Sequence, residues 1–247
     1  MSLNQILPFV SSVIMLIFTL SVFQRYLVRR RPHFLFWAIG LAMFGAGSFA
    51  EAYFAVSGWS ATIFFIWYLF GAALNAAWIG HGSLLLLVRK RWVHVLTGLL
   101  IVGSVIAAAL MVLAISKSNP AAYVRGVPIS EQYRNIMPAI GQGGTVRLTT
   151  PFFNIYGLLT LVGGALWSAW LFLRKQVLPN RVIGNVLIAA GALSIGFASA
   201  LTRVGNGSFL YLGELVAAIL MYAGFLMAAA PGTEAEVAGA TRQATAA

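Results

Sequence analysis

The chain has 247 residues, 60% of them hydrophobic and 9% charged, with 16 Lys and Arg against 5 Asp and Glu and a net charge of +11. A soluble domain carries about 25% charged residues, so a water-facing surface cannot be assembled from this composition, and lipid must cover much of the molecule. The basic residues form short clusters between apolar runs, which fits loops at a membrane surface and excludes a nucleic-acid footprint; with no Cys, disulfides, thiolate nucleophiles and Cys-ligated metals are excluded too.

A hydrocarbon core roughly 30 Å thick needs about 20 apolar residues in a helix. The first stretch that long runs from about Leu7 to Tyr26. No basic segment precedes it and no small-residue cleavage site follows, so it reads as a retained helix rather than a signal peptide. The second runs from Phe34 to Val56 and carries Glu51; the third, from Thr62 to Val88, carries Tyr68, Asn75 and His81; the fourth runs from Val95 to Ser116. The fifth, Pro151 to Leu173, carries Asn154; the sixth, Val182 to Val204, carries Arg203; the seventh, Ser208 to Ala230, carries Tyr211 and Glu214.

Orientation follows from the connections. Arg25, Arg29, Arg30 and Arg31 mark the first, Arg89, Lys90 and Arg91 the third, and Arg174, Lys175 and Arg181 the fifth, whereas Gly58-Trp59-Ser60 has no charge. The positive-inside bias places those odd-numbered loops in the cytoplasm. The expected fold class is therefore an all-α integral membrane protein, a seven-transmembrane-helix bundle with its N-terminus outside and its C-terminus in the cytoplasm, multi-pass in the cell membrane. Residues 1–230 form the transmembrane domain. Within it the long connection 117–150, with Pro120, Pro128, Pro138, Tyr123 and Tyr133, reads as an extracellular cap or as a floppy loop. Residues 231–247, rich in Ala, Thr, Gly and Glu, read as a disordered cytoplasmic tail.

A repeat is suggested. Arg31-Pro32-His33 before the second helix parallels Leu178-Pro179-Asn180-Arg181 before the sixth, and Phe64 to Leu69 parallels Phe209 to Leu212. Two parallel repeats of three helices, with the fourth helix as linker, would account for this, and so would the low complexity of apolar sequence.

Ionisable side chains inside the bilayer cost about 2.5 to 3.5 kcal/mol at a helix centre and are functional candidates. Glu51, Arg203 and Glu214 all fall in the extracellular half, Glu51 and Glu214 each roughly 9 Å below the surface at 1.5 Å per residue. In a sequential ring of helices Arg203 can pair with either carboxylate, leaving one negative charge for a proton, a cation or a polar ligand. The competing reading is a structural clamp between the second, sixth and seventh helices. Tyr68, Asn75, Asn154 and Tyr211 lie at similar depth and complete the candidate site. His81 could ligate haem or relay a proton; a second haem ligand is missing at its depth, since His33 and His94 sit at the cytoplasmic edge, so a hydrogen bond across helices is the expected role. No metal ligand set and no cofactor motif is expected. Glycines such as Gly163-Gly164 read as close helix packing, not as a nucleotide loop.

The layout resembles the microbial rhodopsins, a resemblance that implies retinal held by a Lys in the middle of the seventh helix. The lysines Lys90, Lys117 and Lys175 all lie at loops or helix ends, which excludes covalent retinal. The run Trp67-Tyr68-Leu69-Phe70-Gly71-Ala72-Ala73-Leu74-Asn75-Ala76-Ala77-Trp78-Ile79-Gly80, with Gly82 and a Leu run after it, resembles the seven-helix sensor modules of bacterial signalling proteins and uncharacterised membrane proteins of this size. That resemblance implies sensing of a small ligand. With no effector domain after the seventh helix, a partner would carry the signal. The expected function is thus a ligand-binding or sensory bundle. The alternatives are a non-catalytic accessory subunit of a larger membrane complex, or a small-solute or ion transporter. Expected partners are the lipid bilayer, an unknown small ligand, and other membrane proteins or a second copy of the chain. No enzyme motif and no nucleic-acid partner is expected.

Overall fold

The computed structural model describes residues 3–175, 179–202 and 208–230, and its regular elements are all helices. Besides two single 3-10 turns, Pro120–Ala122 and Ile140–Gln142, they are α1 (Leu3–Arg29), α2 (Pro32–Ser57), α3 (Ala61–Leu87), α4 (Trp92–Ser116), the short α5 (Ile129–Ile136), α6 (Val146–Arg174), α7 (Pro179–Thr202) and α8 (Ser208–Ala229). Seven of the described helices, all but α5, are long and apolar enough to cross a membrane. Arg203, residues 205–207 and residues 231–247 lie outside the described residues.

Local chemistry sets several boundaries. Pro32 opens α2, where its missing N–H costs nothing and its fixed φ suits the helix. Gly58 ends α2 at φ +88, a conformation that favours glycine. Ser60 caps α3 by accepting from the Ile63 N–H at 3.4 Å. α6 begins at Val146, earlier than the apolar pattern suggests, because the polar turn Arg147 to Thr150 is helical too. Pro151 and Pro8 therefore sit just inside their helices rather than at the first residue.

The helices do not form a sequential ring of seven. α1, α2, α3, α6, α7 and α8 close a six-membered ring, and α4 packs outside it against α3 and α6. Small residues explain the difference. A Cβ at Gly157 of α6 would collide with the Ala76 backbone of α3, and one at Gly80 would collide with Thr160. The α3 and α6 backbones thus approach too closely for α4 to lie between them. Gly47 against Gly71 draws α2 onto α3 in the same way, and Gly184 against Gly224 draws α7 onto α8. The outer face of α4 is correspondingly bare, with Val95 and Val105 each 64% exposed, as suits lipid contact.

The middle of α3, Trp67–Leu74, is π-helical. Such a widened turn disturbs the backbone ladder and is common where a helix carries function. At the end of the bundle formed by the α2 C-terminus, the 117–146 segment lies against the helices. Ile129, Ile136, Met137 and Val146 bury themselves against Phe54, Phe64, Trp67 and Tyr68. Gln132 holds the segment's fold together, accepting from the Val124 N–H at 2.7 Å and donating to the Val124 and Val127 carbonyls at 3.0 and 2.7 Å. The segment is fastened to α2 by the Tyr123 hydroxyl, which donates to the Phe54 carbonyl at 2.8 Å, and by Arg125, which donates to the Val56 carbonyl at 3.1 Å.

Candidate functional site

Beneath this covered end, three ring helices converge on two carboxyl groups. α2 supplies Glu51 and, one turn earlier on the same face, Ser48; α8 supplies Glu214; the π-helical part of α3 supplies Trp67. Ser48 donates its hydroxyl to Glu214 Oε2 at 2.9 Å. Trp67 Nε1–H donates to Glu51 Oε1 at 3.0 Å. The two carboxyl groups are in direct electrostatic contact with each other. Glu51 is 2% exposed, while Glu214 retains partial exposure. Glu51 Oε2 is buried and, among the described residues, receives no N–H or O–H. Among the described residues no Arg or Lys approaches either group. The Arg203 pairing expected from sequence falls outside the described residues.

The other candidates divide between this site and the helix framework. Tyr211, 3% exposed, lies near both carboxyl groups. Tyr68 shares a hydrogen bond of 3.1 Å with Thr150 of α6 and packs its ring on Tyr133 of the overlying segment, so it joins the site to its cover. Asn75 and Asn154 have a different task. Asn75 donates to the Gly71 carbonyl at 2.6 Å, and Asn154 reaches from α6 to the Ala72 carbonyl at 3.0 Å. Both amides satisfy carbonyls of the π-helical segment, where the widened turn disrupts the regular ladder.

His81 forms a second polar centre, fully buried between α3, α4 and α6. Its Nδ1 lies 2.6 Å from the Tyr156 hydroxyl and its Nε2 2.8 Å from Thr97 Oγ1. Thr97 donates its own proton to the Val93 carbonyl at 3.0 Å, so it accepts from Nε2–H, and Nδ1 accepts from Tyr156. Both ring nitrogens are thereby engaged across helices, one with α6 and one with α4. The histidine and the Trp78 Nε1–H, which donates to Ser104 Oγ at 3.1 Å, tie the outlying α4 to the ring.

Sequence reasoning passed over Ser48 and Trp67, the two donors that position the carboxyl pair. A Ser three residues before an intramembrane Glu was a readable signal; Trp67 was not, because its indole reaches Glu51 only through the packing of α2 on the π-helical turn. Among the described residues no group of three or more His, Asp or Glu comes together as a metal site.

The chain matches no protein-family model, and no curated protein and no solved structure gives a significant match.

Proposed function

We propose that the protein is a membrane-embedded ligand-binding or sensory bundle whose polar site is the Glu51–Glu214 pair, with the covered half outside the cell, the N-terminus outside and the C-terminus in the cytoplasm. The observation that carries the reading is Glu51 Oε2, buried with no donor among the described residues and beside a second carboxyl group. Two carboxylates in contact inside an apolar bundle leave an uncompensated charge, and an unpaired buried charge costs several kcal/mol. A proton or a cationic group between them removes that cost. The pair holds a proton at rest and exchanges it for the cationic group of a small ligand. Trp67 and Tyr68 pass the exchange to the π-helical turn of α3 and to the segment above it, and a partner protein reads the resulting shift through the basic connections at the other end.

The arrangement supports the sidedness, since Arg25, Arg29, Arg89, Arg91, Arg174 and Arg181 all belong to the end opposite the 117–146 segment. It also fits two parallel repeats. Helices α1 to α3 and α6 to α8 each fill half the ring, with α4 left outside. The second and third helices of each half pack on small residues seven apart: Gly40 and Gly47 in one, and Gly184, Gly191 and Ala198 in the other.

Native mass spectrometry of protein extracted gently from its own membranes tests the function. A small cationic adduct that Glu214→Gln abolishes, while helical content and thermal unfolding are kept, is the expected result. A stoichiometric complex with other proteins and no adduct would overturn it in favour of an accessory subunit. A transporter is the second reading, favoured by a deep opening at the basic end of the same ring.

A further inference from the structure

Apart from the carboxyl pair, the ring encloses a cavity of about 1190 Å³ that opens at the opposite, basic end. Small-molecule sites occupy roughly 300–1,000 Å³, so this one is large enough for an extended ligand. Its mouth is formed by Arg25, Arg29, Arg31, Lys175 and Arg181. Its interior is lined by Phe18, Leu41, Ile79, Leu161, Met221 and Phe225. From Arg31 to Leu41 on α2 the cavity runs about 15 Å along the helix at 1.5 Å per residue, half the hydrocarbon thickness.

The cations at the mouth lack acidic partners among the described residues. The described carboxylates Glu51, Glu131 and Glu214 all belong to the covered half. Two of the guanidinium groups are instead held on aromatic faces, Arg25 over Phe225 at 4.8 Å and Arg181 over Phe172 at 5.4 Å. Ring contacts orient a guanidinium without neutralising it, so its charge stays available to an anion, and its planar fork suits phosphate or carboxylate.

We infer that this cavity binds an amphipathic anion, with a phosphate or carboxylate head among the mouth arginines and a hydrocarbon tail in the apolar chamber. Both halves of the ligand are needed. The polar side chains of the chamber wall, Ser83, Ser168 and Asn185, carry no charge to hold a free phosphate deep inside, and the mouth gives a neutral chain no reason to stop there.

The test uses the full chain in neutral detergent, with ligand addition followed by native mass spectrometry. Palmitate and lysophosphatidate should each bind saturably at one equivalent, with hexadecanol and inorganic phosphate each about tenfold or more weaker. Replacing Arg31→Gln and Arg181→Gln together should weaken palmitate about tenfold or more, since each removes a charge-assisted bond. Ala165→Leu, which fills the chamber wall, should weaken it while leaving thermal unfolding unchanged. Competition by diacyl phosphatidate would identify the bilayer as the source of the ligand; competition by single-chain anions alone would identify a soluble pool. Hexadecanol binding as tightly as palmitate, inorganic phosphate doing so, or palmitate binding that ignores the variants would overturn the inference.

Discussion

Gln132 tests whether the 117–146 segment is a fastened cover. Its side chain is 5% exposed and satisfies one backbone N–H and two carbonyls of the turn before it. Gln132→Ala removes all three bonds. At a net value of roughly 0.5–1.5 kcal/mol per hydrogen bond, the loss is about 3 kcal/mol. With 1.4 kcal/mol per factor of ten, local opening should become on the order of 100-fold more frequent. Trypsin reads this directly, because Arg125 lies in the segment and its guanidinium is engaged with Val56. When opening and closing are fast relative to cleavage, the rate follows the open population. Cleavage after Arg125 should rise by that factor while the transmembrane helices stay intact. Gln132→Glu, which keeps the acceptor for Val124 N–H but sets a buried carboxylate against the Val124 and Val127 carbonyls, should open the segment at least as often as Gln132→Ala. A Gln132→Ala protein cut at the wild-type rate would refute the claim that this side chain holds the segment's fold together.

Three further outcomes follow from the same packing. Gly47→Leu places side-chain atoms against Gly71, and overpacking of this kind costs about 1–3 kcal/mol; a thermal midpoint in detergent equal to wild type would contradict the close α2–α3 approach. His81→Leu removes one polar tie to α4, at Thr97, and one to α6, at Tyr156, at about 1–2 kcal/mol by the scale of intramembrane hydrogen bonds; because the chain has no native cysteine, Ala107→Cys in the buried face of α4 can report the loosening through faster maleimide labelling. Burial pushes the Tyr123 phenol above its ordinary range, against a smaller opposing pull from Arg125. Its contribution is therefore complete below the ordinary phenol value of about 10 and lost as pH rises through the higher folded value, so Tyr123→Phe should cost about 1 kcal/mol near neutrality and flatten the alkaline stability profile.

Helix number and approximate limits were legible because lipid imposes one length and one composition on every spanning segment. Glu51 and Glu214 were readable as lying at matching depth, although the sequence paired each of them with Arg203 rather than with the other. What lay hidden depends on backbone approach. The displacement of α4 follows from Gly80 and Gly157, which in sequence look like any other small residues in an apolar helix. The π-helical turn gave no compositional sign, so Asn75 and Asn154 read as ligand groups although their amides serve its carbonyls. The basic-mouthed cavity combines loop arginines, which the positive-inside pattern already accounted for, with apolar residues that look like ordinary core. Only the ring closure of α8 on α1 brings the two together.

The central claim is that Glu51 and Glu214 share an exchangeable proton rather than forming a fixed clamp. Infrared difference spectroscopy of the purified protein, titrated in pH and repeated in deuterated buffer, observes the carboxyl groups directly. A carboxylic-acid C=O band that titrates, shifts on deuteration and is abolished by both Glu51→Gln and Glu214→Gln in proteins that remain folded is the expected result. No such band, together with loss of thermal stability in Glu214→Gln that Arg203→Gln reproduces, would contradict it and make the pair half of an ion clamp.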